Sequence, residues 1–426
     1  MIRRLVPLIR LASEYTAAHL TARFLAAISG LLLVRILPVN EYGFYTLVLA
    51  AFTFICTFSD LGATETLSFF RWRARSKNRP WFHYYHSVIQ FRKSIFIVGS
   101  LVSMTYVLVT GYKLSIKWVT LLPSILLMGL GAWFAIQAGI NTYVLKLEQQ
   151  FRSAYVIELG NEVTKLIGAV LMWFAGLTTA IAGIGSVAMG SLVAAILASI
   201  LLEQSLDKSA ETSKRKVKKY TRVLLSQLLP ILPGAIHFAL QGPFIAWLAA
   251  YYGTISNVAE VGALGRVAIL IGLISGFAAS VVIPRLTLIK DDQTFIERYL
   301  LWWGIMFLFG MAIMAAIGIY PKLFLLLLGE HYLNLNEELT ISAAAAIIGS
   351  WLGFSFNVNR MRGWIRYQKW SVPLIILGQV IMFFSMSFSS TRDVLMFGFG
   401  SLLISFLFQL WLNIMGINGL RKNRGT

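Results

Sequence analysis

Long apolar stretches separated by short polar gaps cover almost the whole chain. An α-helix needs about 20 apolar residues to cross a bilayer, and most of the stretches reach that length. The pattern predicts about twelve transmembrane helices, near residues 14–37, 44–70, 94–111, 118–145, 154–175, 178–202, 223–251, 258–289, 299–320, 338–359, 371–389 and 394–418. The predicted fold class is therefore an all-α polytopic membrane protein.

The composition agrees with a lipid environment. Of the 426 residues, 58% are hydrophobic and 13% are charged, whereas a soluble domain averages roughly 25% charged residues. The single cysteine, Cys56, lies in an apolar stretch, so no internal disulfide is expected. A net charge of +19 suggests nucleic-acid binding in a soluble protein. Positively charged cytoplasmic loops explain it here, so no nucleic-acid partner is expected.

The basic residues are distributed unequally between the two sides of the predicted membrane. Of the 37 Lys and Arg residues, 29 lie at the termini or in even-numbered gaps, and four lie in odd-numbered gaps. Because cytoplasmic loops retain Lys and Arg, both termini are predicted to be cytoplasmic. We expect these 29 loop charges to orient the helices. The alternative is that the basic segments at 71–93 and 208–222 also attract anionic lipid or the diphosphate of a substrate. Four cations remain within spans: Arg23, Arg35, Lys165 and Arg266.

The most polar segment of the chain divides the predicted spans into two sets of six. We predict an N-terminal lobe over residues 1–203, a basic cytoplasmic linker over 204–222 and a C-terminal lobe over 223–426. A Glu-x-Gly pattern opens the second span at Glu41 and the eighth span at Glu260, an offset of 219 residues that favours an internal repeat. Six is an even number, so both copies cross the membrane in the same direction. The predicted pseudo-two-fold axis therefore lies along the membrane normal.

Four short patches carry a resemblance to a known family. They are residues 35–45 at the first hairpin, Asp60-Leu61-Gly62, residues 148–152, and residues 328–332, which read Leu-Gly-Glu-His-Tyr. These patches resemble bacterial polysaccharide flippases of the O-antigen type, within the multidrug/oligosaccharidyl-lipid/polysaccharide exporter superfamily. The second half departs from the family pattern, because Ala263 stands where an aromatic residue often follows the glycine.

The resemblance implies a function, a location and partners. It implies movement of polyprenyl-diphosphate-linked oligosaccharide from the cytoplasmic to the outer leaflet of the bacterial inner membrane by alternating access. An ion gradient or the membrane potential would drive this movement. The implied partners are the lipid-linked oligosaccharide, membrane lipids, a polysaccharide polymerase and a chain-length regulator.

Cations within the spans are the candidate contacts for the diphosphate of such a substrate. Arg and Lys supply positive charge and several hydrogen-bond donors to phosphate. Each costs roughly 3 kcal/mol within a span, so it is expected to face a cavity or a partner. Arg23, Arg266 and Lys165 are therefore predicted to line a cationic cavity, with structural ion pairs as the alternative. Arg35 lies near the outer end of its span and is expected to snorkel to the external interface.

Acidic residues within the spans are candidates for ion coupling. Glu158, Glu162 and Lys165 lie within about 40° on one helix face. Glu162 and Lys165 can therefore pair, and the two carboxylates suggest a shared proton or cation. An internal salt bridge used for packing is the alternative. Asp60 is a further candidate for coupling or for an ion pair. It could pair with Arg23 if the two helices align, and a structural role is favoured.

The start of the seventh span contains candidate gating residues. Pro230, Pro233 and Gly234 predict a kink beside the cavity. His237 follows on the same helix, where it is either a proton relay or a packing residue with satisfied hydrogen bonds.

Two other functions remain open. A drug or cation antiporter of the same superfamily is one, although cationic substrates fit poorly with arginines that face a cavity. A membrane glycan polymerase or ligase is the other, but such enzymes typically need a large external loop, and the longest external gap is about 321–337. The sequence contains no metal-ligand cluster, nucleotide-binding glycine-rich loop or nucleophile elbow. We therefore predict no catalytic residues, no metal and no cofactor.

Overall fold

A computed structural model of the protein describes residues 20–68, 82–204, 214–278 and 282–422. Within these ranges the chain is helical and contains no strand. The helices are α1 (described over 20–36), α2 (Val39–Phe58), α3 (described over 63–68), α4 (Phe82–Lys113), α5 (Trp118–Leu147), α6 (Phe151–Phe174), α7 (Ala180–Glu203), α8 (Lys214–Leu228), α9 (Leu232–Tyr252), α10 (Ile255–Phe277), α11 (Ile283–Thr287), α12 (Asp292–Ile319), α13 (Pro321–Leu326), α14 (Asn336–Arg362), α15 (Ser371–Ser385) and α16 (Thr391–Lys422).

Ten of the described helical segments are long and apolar enough to cross a membrane. Two of the twelve predicted spans are not among these ten. The first span, α1, is described only from residue 20. The fifth span, α6, has 24 residues but carries Glu158, Glu162 and Lys165 along its length. The fold class is confirmed: the chain is an all-α polytopic membrane protein.

The structure divides into two compact units. The middle unit runs from Ile36 to Ala259, and the split unit combines the chain up to Arg35 with the chain from Glu260 onwards. Neither boundary coincides with the predicted linker at 204–222, so the two six-helix lobes stay a prediction. Helix α8 (214–228) begins within the predicted linker and continues past its end, and residues 205–213 lie outside the described part. Both chain termini also lie outside it.

The middle unit is built around α2 and α7. Helix α2 is buried on most of its sides. Helix α7 packs against both α5 and α6, and small residues repeat every four positions along it at Ser186, Gly190, Ala194 and Ala198. Small side chains let the backbones of neighbouring helices approach closely, which is how helices associate where the hydrophobic effect is absent.

The split unit has an aromatic core around Tyr299 of α12. The ring of Tyr299 stacks on Phe295 and Phe354, with centroids 5.8 and 5.7 Å away. Its hydroxyl donates to Asn413 of α16 and accepts a 2.6 Å hydrogen bond from the indole of Trp303. This buried hydroxyl is therefore satisfied from two directions, and it ties α12 to α16.

The predicted repeat has a matching contact in each unit. In the middle unit, the Glu41 carboxylate accepts a 2.7 Å hydrogen bond from the backbone N–H of Ala180, at the start of α7. In the split unit, Glu260 accepts a hydrogen bond from the hydroxyl of Thr391, at the start of α16. A carboxylate at a helix N-terminus satisfies free donors and opposes the helix dipole. The two glutamates at the 219-residue offset therefore anchor α2 to the start of α7 and α10 to the start of α16.

The start of the predicted seventh span is broken rather than kinked. Helix α8 ends at Leu228 and α9 begins at Leu232, with a turn at 229–231 that contains Pro230. Pro233 occupies the first turn of α9, where its missing N–H removes no helical hydrogen bond. The proline inside α9 is Pro243, which the sequence pattern did not single out.

We expect Gly43→Ala to destabilise the middle unit. A Cβ atom at Gly43 would lie 2.3 Å from the backbone oxygen of Ile255, which cannot move as a side chain can. Forcing extra volume into a packed interior costs roughly 1–3 kcal/mol, so the midpoint of thermal unfolding in detergent should fall. Gly139→Ala is the matched control, because no atom lies within 4 Å of the added Cβ there. Equal unfolding midpoints for the two variants would contradict this packing.

Candidate functional site

Helix α6 carries a charged stripe into the middle unit. The Nζ atom of Lys165 lies 2.9 Å from Oε1 of Glu162, and the amide of Asn161 donates to the same oxygen at 2.9 Å. Both charged side chains are largely buried. The predicted pairing of Glu162 with Lys165 is therefore present, one turn apart on the same helix.

Glu158 has a separate partner from a neighbouring helix. Its Oε1 atom lies 2.7 Å from Nζ of Lys146, at the end of α5. Glu158 and Glu162 therefore each meet a different lysine. This arrangement agrees with the alternative of internal ion pairs, and a proton or cation shared by the two carboxylates stays a prediction.

The Asp60-Leu61-Gly62 patch is the point at which the second span is interrupted. Leu61 and Gly62 have φ angles of 42° and 81°, in the left-handed region that ends a helix. Helix α2 stops at Phe58 and α3 starts at residue 63. The Asp60 carboxylate accepts hydrogen bonds from the backbone N–H of Thr64 at 3.2 Å and from the Thr64 hydroxyl. Asp60 thus satisfies donors that the break leaves free at the start of α3.

Arg92 of α4 completes this arrangement and corrects one prediction. Its Nη1 atom lies 3.3 Å from Oδ1 of Asp60 and donates to the Thr64 hydroxyl at 2.8 Å. Within the middle unit, Arg92 is therefore the cation that pairs with Asp60. Arg92 was expected to be a loop charge, but α4 begins at Phe82 and Arg92 is only 5% exposed. Its position inside the helix was missed because the basic residues around it resemble a loop.

The ion pairs of the middle unit belong to one polar interior. Cys56 lies within electrostatic range of both Arg92 and Lys165. The Tyr143 hydroxyl is hydrogen bonded to Ser68. It also interacts electrostatically with Glu65, Asp60 and Lys146. We refer to this set as the middle-unit network; its charged members are Asp60, Glu65, Glu158, Glu162, Arg92, Lys146 and Lys165. Within it, Asp60, Glu158 and Glu162 each lie against a cation, as expected for charges placed among membrane-spanning helices.

In the split unit, Arg23 lies on the same face of α1 against which Arg266 of α10 packs. Arg266 of α10 crosses Gly30: a Cβ atom there would lie 2.8 Å from Cδ of Arg266 and 3.1 Å from its Nε. Gly30 follows Arg23 by seven residues, which places the two about 20° apart around the helix and about 10 Å apart along it. Ala27 and Val34, on the same face, are buried, whereas Arg23 is exposed. The sequence missed Gly30, since nothing in its neighbourhood marks a close approach.

An apolar cavity of about 610 Å³ lies beside Arg23 within the split unit. It is bounded by α1, by α12 and by Leu273, Ala278 and Val282, with Leu20, Phe24, Trp302 and Met306 among its other lining residues. Leu20 and Phe24 flank Arg23 on the helix. The cation and the apolar cavity therefore occupy adjoining faces of α1.

Arg35 has a structural contact at the far end of α1. Its Nε and Nη2 atoms donate to the backbone oxygens of Leu327 and Leu326, at 3.0 and 2.6 Å. These carbonyls terminate α13, where a cation also opposes the negative end of the helix dipole. The predicted position of Arg35 near the end of its span agrees with this contact. Arg35 lies about 120° around α1 from Arg23.

His237 and Gly234 lie in the first half of α9, where both are partly buried. Pro230 lies in the turn that precedes α9, and Pro233 lies in the first turn of α9. Across the described residues, no group of three or more His, Cys, Asp or Glu side chains is arranged to hold a metal ion.

Comparisons with known proteins identify the fold. No protein-family model matches the chain, and no curated protein sequence matches it. Solved structures do match. An inward-facing multidrug resistance MATE family transporter of the MOP superfamily has 15% identity and a TM-score of 0.63 over 95% of this chain and 96% of that one. The lipid II flippase MurJ, in an inward closed conformation, has 12% identity and a TM-score of 0.62 over 96% and 90%.

A third match is a MOP superfamily transporter from Pyrococcus furiosus, with 14% identity and a TM-score of 0.56 over 97% of this chain and 96% of that one. At such identities the likeness shows the fold, and these neighbours are transporters and flippases rather than enzymes.

We expect Arg92→Ala to destabilise the protein, because it leaves the Asp60 carboxylate without its cation in a largely buried site. Breaking a buried pair by removing one partner costs roughly 3–5 kcal/mol, and the partial exposure of Asp60 puts the expected value at the lower end. Thermal unfolding in detergent measures the loss. The double variant Asp60→Asn/Arg92→Ala should recover part of it, whereas additive losses would show that the two side chains do not depend on each other.

Proposed function

We propose that the protein is a flippase that moves polyprenyl-diphosphate-linked oligosaccharide from the cytoplasmic to the outer leaflet of the bacterial inner membrane. One observation carries the proposal: two arginines share a face of α1, beside an apolar cavity. An O-antigen or other surface polysaccharide repeat unit is the substrate that the sequence patches suggest. The fold of MATE and MurJ transporters supports transport by alternating access.

The two arginines suit the anionic part of the substrate. Guanidinium groups present several donors in a fixed geometry and bind phosphate oxygens in pairs. Arg23 and Arg266, about 10 Å apart along α1, have long side chains that can converge on a diphosphate or receive it in succession. Lys165 is engaged by Glu162 in the middle unit, so we assign it to coupling instead of to first contact with the diphosphate.

The cavity suits the apolar part. A volume of about 610 Å³ with an apolar lining accommodates a segment of a polyprenyl chain. A headgroup held at Arg23 would leave its attached tail next to Phe24, which lines the cavity. One helix would therefore bind both ends of an amphiphile.

Coupling and gating are assigned to the middle unit. Asp60, Glu158 and Glu162 each lie within ion-pair distance of a cation, and these pairs, together with His237 of α9, are the candidates for coupling. The break at 229–231, with Pro230, Pro233 and Gly234 around it, is a point at which α9 can change its angle. An ion gradient or the membrane potential would drive these changes.

A cation antiporter is the second candidate function. The middle-unit network holds four carboxylates against three cations, an excess that suits a transported cation. One of the structural matches is a multidrug resistance transporter. Export of a cationic dye by proteoliposomes, with no movement of lipid-linked oligosaccharide, would favour this candidate.

We expect Arg23→Ala and Arg266→Ala each to slow the flipping of polyprenyl-diphosphate-linked oligosaccharide in proteoliposomes by at least about tenfold. A charged hydrogen bond to phosphate contributes roughly 1.5–3 kcal/mol. Lys322→Ala is the control, because it removes an exposed cation of the same unit that belongs to a different helix, α13. Normal flipping by both variants, at normal membrane levels, would falsify the role of this face.

Gly30→Ala tests the geometry without changing the charge. The added Cβ would meet the flexible end of Arg266, so the guanidinium should move while the fold persists. We expect a higher substrate concentration for half-maximal transport and an unchanged unfolding midpoint. The control is Gly265→Ala, next to Arg266, where the added Cβ meets no atom within 4 Å. Identical transport by the two variants would show that the position of Arg266 is unimportant.

A further inference from the structure

We infer that α8 binds anionic phospholipids at the membrane surface, with Lys218, Lys219 and Arg222 contacting the headgroup phosphates. The surface lies on the side that the charge pattern assigns to the cytoplasm. This inference concerns the bilayer rather than the transported substrate, so it stands independently of the proposed function.

One face of α8 is firmly docked on α4. Val217, Leu224 and Leu228 are buried, and their spacing of seven and four residues places them on a single helix face. The hydroxyl of Ser87 donates to the backbone oxygen of Val217 at 2.9 Å. The ring of Tyr220 lies 6.2 Å from that of Tyr84, edge to face. The orientation of α8 is therefore set by packing.

This docking presents a second stripe outwards. Lys218, Arg222, Leu225 and Leu229 follow one another at intervals of four, three and four residues, so they lie within about 60° on one side. All four side chains are exposed, with Leu225 and Leu229 at 49% and 71%. Lys219 is exposed beside the stripe. Cations and large apolar side chains thus share one surface.

The membrane is the environment that suits both halves of this stripe. Water would accept the cations but not two exposed leucines, and the hydrocarbon core would accept only the leucines. A helix in the plane of the interface satisfies both, because its apolar side chains reach the acyl boundary while its cations meet phosphates. Helix α9, an apolar helix long enough to cross a membrane, begins only four residues after α8 ends. The C-terminal end of α8 therefore lies at the membrane.

Charge complementarity identifies the lipid class. Each Lys or Arg near an anionic leaflet strengthens association by about fivefold. Orientation of the helices during insertion requires only that cations be present in this gap. Orientation does not require these cations to lie on a docked helix, in line with exposed leucines. That arrangement is the one expected of a binding surface. Phospholipid acyl chains are the natural contacts for Leu225 and Leu229.

The test places a fluorescent bimane at Ser226→Cys, an exposed position next to the stripe, in a full-length Cys56→Ser background that leaves one thiol. The protein is reconstituted in phosphatidylcholine bilayers containing either brominated phosphatidylglycerol or brominated phosphatidylcholine as the quencher. We expect phosphatidylglycerol to quench severalfold more strongly at the same mole fraction. The variant Lys218→Gln/Lys219→Gln/Arg222→Gln should lose this preference and retain quenching by both lipids.

The matched control is Arg285→Gln/Lys290→Gln/Arg298→Gln, which removes three exposed cations that the charge pattern assigns to the same side. It should keep the preference for phosphatidylglycerol. Three outcomes would overturn the inference: no quenching by either lipid, equal quenching before the charges are removed, or a preference that survives the α8 substitutions. Displacement of phosphatidylglycerol by trace amounts of a polyprenyl diphosphate would also overturn it, because the surface would then belong to the transported substrate.

Discussion

The hydrocarbon interior cannot solvate a charge or an unpaired backbone group, and the rest of this structure depends on that constraint. Helix α6 obeys it by carrying its own ion pair, Glu162 with Lys165, and by drawing Lys146 from α5 to Glu158. The Lys146–Glu158 pair joins α5 to α6, where hydrophobic attraction between helices is absent. Both pairs keep these charges partnered inside the middle unit.

Breaks in the helices follow the same constraint. At Asp60-Leu61-Gly62, two left-handed residues end α2 and free backbone donors, and the Asp60 carboxylate and Arg92 complete their hydrogen bonding. Interrupted helices in transporters occur where irregular backbone is covered by protein or lines a cavity. Asp60 joins a helix break to an ion pair. A change in its charge would therefore alter the backbone at this point as well as the electrostatics.

The described contacts of the cations in the split unit differ from the carboxylate pairs of the middle unit. Arg35 is bound to the carbonyl end of α13, whereas Arg266 is placed by the absence of a side chain at Gly30. Arg23 is exposed on the same face of α1. A net charge of +19 thus separates into cations that orient or anchor the protein and the two arginines on this face of α1, which we propose as contacts for an anionic substrate. On helix α8, the proposed contacts of the cations are the surrounding lipids.

The sequence by itself determined the fold class, because apolar length and the sidedness of Lys and Arg report directly on the solvent of each segment. It also identified the Glu162–Lys165 pair, since residues three apart on a helix must be neighbours. Only the tertiary structure decided that Asp60 pairs with Arg92, that Arg266 crosses Gly30, and that residues 214–228 form a docked helix. Those facts depend on which helices are in contact and on how the helices are positioned along their axes. Hydropathy carries no information on either, because all helix faces that are compatible with lipid have similar hydropathy.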